Sequence, residues 1–148
     1  MSEASQPNPD PFEGDLRVLV SNRQAREVDA NGLSELAMRA LRGEGVTGPA
    51  ELSLSFVEPA EMADLHVRFM GEEGPTDVLA FEMDEHGLLG DVVVCPEEAA
   101  RNNPDLGAEL KLLVVHGVLH LLGHDHQEED DRRAMWAKQE AYSGVPSR

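Results

Sequence analysis

The sequence predicts a single α/β (α+β) domain in which a mixed sheet of about four strands packs against helices. Three observations point there. A chain of 148 residues is long enough for one continuous core. Hydrophobic residues at 41% and charged residues at 28% match ordinary globular composition. Short strand-patterned runs alternate along the chain with stretches of helical periodicity.

Residues 1–14, MSEASQPNPDPFEG, carry three prolines and little to bury, so a flexible tail is expected before a domain spanning 15–148. LRVLV (16–20) reads as a first strand. From Asn31 the apolar residues Leu33, Leu36, Ala37, Ala40 and Leu41 recur every three or four positions, which predicts an amphipathic helix, with Gly43 as its stop. ELSLSFV (51–57) alternates like a half-buried strand. Pro59 stands near the start of a short helix in EPAEMADLHVRFM, and GEEGP loops away from it. TDVLAFEM (76–83) and LGDVVVC (89–95), joined by DEHGL, read as paired strands. Acidic helical sequence follows Pro96 and closes at NNP (102–104). DLGAELKLLVVHGVLHLLG reads as a long helix with Asp105 as N-cap, ending at Gly123. A last helix, EEDDRRAMWAKQEAYSG, has carboxylates at its positive end; Met135 and Trp136 are expected in the core rather than as a base-stacking platform.

Composition narrows the function. The single cysteine, Cys95, excludes an internal disulfide and reads as a small buried hydrophobe. The N-terminus resembles no signal peptide, and the longest apolar run, within 112–122, is interrupted by His116 and His120 and falls short of the roughly 20 residues a membrane span needs. A cytoplasmic protein without a membrane partner is expected. The net charge of −17 opposes a polyanionic partner. A bound dication and a few arginines can nevertheless reverse the potential of one site.

The stretch HGVLHLLGHDH (116–126) gathers four of the six histidines. His116 and His120, four apart on a helix, share a face with Cβ atoms roughly 5–6 Å apart. Gly123 can take positive φ, end the helix and turn the chain so that His126 approaches them. Histidines at relative positions 0, 4 and 10 with glycine at 7 reproduce the ligand frame of the metzincin pattern HExxHxxGxxH. Three neutral imidazoles suit one Zn²⁺ per chain and leave a fourth position open, the arrangement of catalytic sites. Metzincins place a glutamate after the first histidine as general base, and here that position is Gly117. His124 has no slot in the frame and is expected to be solvent-exposed; His66 and His86 are isolated.

These residues fit HGxLHLxGxDH, the signature of the YbeY family of metal-dependent endoribonucleases, and TDVLAFE (76–82) followed by LGDVVV is similar to a second element of that family. The chain thus resembles YbeY proteins over nearly its whole length after the tail. The resemblance implies an α/β fold with a metzincin-like metal-binding helix, His116, His120 and His126 as zinc ligands, and a single-strand-specific endoribonuclease acting in 16S rRNA 3′-end maturation and ribosome quality control. The implied partners are single-stranded RNA, ribosomal RNA and the ribosome, with neither DNA nor a membrane. Asp125, beside the last ligand, is a candidate proton acceptor or support for a ligand, with a turn cap as the alternative. Thr76 and Asp77 are expected to shape the wall near the metal, with strand-start capping as the alternative, and Asp91 to orient a ligand histidine. Many family members carry an arginine where Met70 aligns, so Arg68 is the candidate phosphate contact. Arg17, Arg23 and Arg26, and Arg132 with Arg133, are further cations that could serve or simply be solvated. Two other readings remain: a zinc hydrolase of another substrate, such as a peptidase, opposed by Gly117, and a non-catalytic ribosome-assembly factor whose metal only holds the turn.

Overall fold

Four helices start where a side chain or a proline satisfies or removes an orphan N–H. The carboxylate of Asp29 accepts from the Gly32 N–H at 3.0 Å and opens α1 (Ala30–Gly43). That of Asp105 accepts from Ala108 at 3.1 Å and opens α4 (Leu106–Leu121), as its N-cap position predicts. Pro59 and Pro96 occupy the first turns of α2 (Pro59–Met70) and α3 (Pro96–Asn102), where a missing N–H costs nothing. The computed structural model describes residues 15–85, 87–124 and 128–146. The tail over 1–14 and His86 lie outside them.

The strands β1 (Leu16–Arg23), β2 (Ala50–Val57), β3 (Val78–Glu85) and β4 (Leu88–Val94) form one sheet in the order β1-β2-β4-β3. β1 and β2 are parallel, as are β2 and β4, while β3 runs antiparallel to β4, so the sheet is mixed as the sequence predicts. Alternation along β2 sends Leu52, Leu54 and Phe56, all fully buried, to one face. There they meet Leu36 and Leu41 of α1 and Val114 and Val118 of α4. The opposite face carries a smaller cluster in which Met62 of α2 packs on Val57, Leu79, Val93 and Cys95. Burial raises the Cys95 thiol pKa, as expected of an inert core cysteine.

α4 is apolar around most of its circumference because it is enclosed by the sheet, α1, α3 and α5 (Glu129–Ser143). It is the element that carries the histidines.

Candidate metal centre

His116 and His120 lie on one face of α4 with ring centroids 6.3 Å apart and planes tilted by 33°. His116 is half-buried and His120 exposed. The Nδ1 of His116 stands 2.6 Å from the Oε1 of Gln139 on α5, a side chain only 5% exposed. An amide oxygen can only accept, so Nδ1 carries the proton and donates, and the Nε2 lone pair is the one this ring offers to a cation. Between the histidines, Gly117 lets α4 approach the sheet: a Cβ there would lie 2.6 Å from Cγ1 of Val92. The position that holds a glutamate in metzincins is therefore filled by the sheet itself, which weighs against a peptidase mechanism.

The turn after α4 follows the sequence expectation closely. Gly123 has φ +99° and its N–H donates to the His120 carbonyl at 3.0 Å, while the His124 N–H donates to Leu119 at 3.0 Å. This pair of bonds is a Schellman motif, and it reverses the chain immediately after His120. His126 and Asp125, the other expected members of the site, lie outside the described residues.

His124 corrects the expectation of exposure. Its Nε2 is 2.8 Å from Glu44 Oε1, which also accepts from Lys138 Nζ at 2.7 Å, while the Tyr142 hydroxyl donates to Glu44 Oε2 at 2.7 Å. Burial works against the Glu44 carboxylate, yet the hydrogen bonds from Lys138, Tyr142 and His124 outweigh it and hold its pKa at about 2. Gly43 admits this arrangement, since a Cβ would collide with the Tyr142 hydroxyl. The residue that turns the chain at positive φ is Gly45, not Gly43.

Three hollows adjoin the histidines. His116, Gly117 and His120 line a small one of about 150 Å³ together with Met70, Val78 and Ala80. His120 also lines a larger cleft of about 720 Å³ with Arg23, Asp91, Phe69 and Phe81. His116 borders a third, of about 230 Å³, with Asp77, Trp136 and Gln139. Asp77 lines the hollow that His116 borders, and its carboxylate accepts from Asn102 at 2.9 Å. Asp91 shares the cleft of His120. Arg23, absent from the motifs, faces that cleft and pairs with Glu61 at 2.6 Å; this hydrogen bond raises its pKa. Arg68 lies on the exposed side of α2, paired with Asp64 at 3.0 Å, and the same helix sends Met70 toward the histidines instead. Arg17 pairs with Glu51 and Arg133 with Glu129. His66 binds the Gly74 carbonyl and the Glu72 carboxylate, each at 2.8 Å, and so pins the loop after α2.

Trp136 departs from expectation: it is 42% exposed, under Arg132, while Met135 is fully buried. Gln139 and Glu44 were not singled out in the sequence. A signal for Gln139 existed, because it falls four residues after Met135 and four before Ser143, on the face of α5 that is buried.

The donor set fits a zinc ion in part. Two imidazoles share a helix face, and one has its tautomer fixed by a buried amide. Among the described residues no group of three or more potential ligands comes together, and the expected third ligand, His126, is not one of those residues.

A family model described as endoribonuclease YbeY matches residues 19–144. Relatives named endoribonuclease YbeY include that of Frankia casuarinae, 46% identical over 84% of this chain and 71% of the relative, and that of Salinispora tropica, 44% identical over 84% and 92%. The solution structure of a Thermotoga maritima protein superposes with a TM-score of 0.56 at 32% identity, covering 85% of this chain and 86% of that one. With the histidine helix, the glycine turn and the mixed four-stranded sheet already in place, these matches show that the chain belongs to the endoribonuclease YbeY family.

Proposed function

We propose that this protein is a zinc-dependent endoribonuclease that cleaves single-stranded RNA, and that it acts in the cytoplasm on ribosomal RNA during 16S rRNA 3′-end maturation and ribosome quality control. The observation that carries the reading is the pair His116 and His120 on one face of a buried helix, followed at once by the Gly123 turn, in a chain of this family. His126 completes the ligand set in this proposal, with one ion per chain. Zinc, when bound, supplies Lewis-acid polarisation of a phosphate oxygen.

The chain's own groups do the rest. Gln139 holds the His116 ring in one tautomer and orientation. Asp125 is the proposed proton acceptor. Arg68, exposed and paired with Asp64, would exchange that partner for a phosphate. Among the described residues no helix is long and apolar enough to cross a membrane.

The test is cleavage of a defined single-stranded RNA by the purified protein, with and without chelator, beside His120→Ala. Cleavage is expected only from the unchelated parent. Equal cleavage in all three samples refutes the proposal.

A further inference from the structure

The three hollows form a track, because His120 borders both the cleft and the small hollow, and His116 borders both the small hollow and the third. At either end stands an aromatic ring that the core does not use. Phe69 is 57% exposed and Trp136 42% exposed. Each has a guanidinium beside it: Arg68 lies 5.6 Å from the Phe69 centroid and Arg132 5.8 Å from that of Trp136. Phe69 is backed by Phe81, with centroids 4.9 Å apart and planes at 51°.

We propose that Phe69 and Trp136 are stacking platforms that grip a base on each side of the histidine pair, so that a single strand of RNA is drawn across the metal centre. The proposal rests on the nuclease reading above and names how the substrate is held. Phe69 rests on Phe81 and still leaves more than half of its surface to solvent, and every nucleobase has a π-face that such a ring or a guanidinium plane can cover. Charge gives this grip a role. A chain of net charge −17 gains little from counterion release, and the hollow between the rings presents Met70 where a cation would attract phosphate. Stacking supplies affinity that does not depend on positive charge. It also selects single strands, since a paired base keeps its faces against its neighbours.

Trp136 is the sole tryptophan, so its emission reports directly on one platform. Zinc-loaded and chelated protein are titrated with hexauridylate and with an abasic strand of equal length and charge. The expected result is quenching by hexauridylate and none by the abasic strand. With a labelled hexauridylate followed by anisotropy, Phe69→Leu and Trp136→Leu should each bind about five- to a hundred-fold more weakly, the range for losing one base–aromatic stack, while Phe69→Tyr and Trp136→Phe recover most of the loss. In cleavage, the leucine variants should raise KM and keep kcat. Equal binding of both strands by the parent, or parental affinity in the leucine variants, overturns the proposal and leaves the nuclease reading intact. A blue shift of Trp136 emission that grows with protein concentration without RNA also overturns it, by assigning the rings to contact with a second copy. If the parent neither binds nor cleaves RNA, both readings fall.

Discussion

Gly117→Ala sets two opposite effects against each other, and the structure decides between them. Gly117 is inside α4, where replacing glycine by alanine ordinarily stabilises by about 1 kcal/mol. The added Cβ would lie 2.6 Å from Cγ1 of Val92, 3.3 Å from its Cγ2 and 3.4 Å from Cγ2 of Val78. Comfortable carbon contacts begin at about 3.5 Å, so the closest methyl must retreat by about 1 Å. Val92 is fully buried on β4, which is hydrogen-bonded on both sides, and its branched side chain is stiff at χ1. Overpacking of this kind costs about 1–3 kcal/mol, and with a rigid partner we take the upper half. The net expectation is a loss of about 1–2 kcal/mol. Urea unfolding should show a midpoint lowered by roughly half to one molar at unchanged slope. Val92→Ala vacates the space that the new methyl needs, so the double variant should be more stable than the sum of the singles by about 1 kcal/mol or more. A Gly117→Ala protein at least as stable as the parent, or strict additivity in the double variant, would refute the packing argument.

Two further outcomes follow from side chains outside the histidine helix. Gln139→Ala should weaken zinc binding by about 10- to 100-fold in competition with a chromophoric chelator, whereas Gln139→Glu, which keeps an acceptor, should retain it; equal affinities for alanine and parent would remove Gln139 from the metal's support. Glu44→Gln should cost about 2 kcal/mol at neutral pH, once the shift from 4.5 to about 2 is discounted for solvent at Lys138, which is 40% exposed. Because the folded pKa is depressed, that contribution is fully present above pH 4.5 and disappears as pH falls toward about 2; a gap between parent and variant that stays constant across this window contradicts the assignment.

The elements and the ligand helix were legible because their information is local. Period two in ELSLSFV, the three-and-four spacing from Leu33 to Leu41, the Asp105 cap and the Gly123 turn each depend on a few neighbouring residues, and each appears in the structure. What stayed hidden is tertiary. Gln139 reaches His116 across 23 residues, and no local pattern tells which polar group another helix will present. His124 read as a surface residue because its partner, Glu44, sits at the end of α1. Trp136 is adjacent to Met135, and adjacent helical residues point about 100° apart, so a helix with one narrow buried face buries Met135 and leaves Trp136 exposed. Arg68 and Met70, two residues apart, point to nearly opposite sides of α2.

The bond between His124 and Glu44 spans 80 residues. Its formation must await the docking of α1 and α5 beside α4, and contacts of such sequence separation are assembled late because closing the intervening loop is entropically costly. The reversal after α4 is thus closed by its own two backbone bonds and tied in addition to the end of α1 through Glu44. Unlike small zinc modules, whose ion organises an otherwise unfolded peptide, the turn after α4 draws its hydrogen bonds from the protein alone, so a chelator is expected to leave the fold standing.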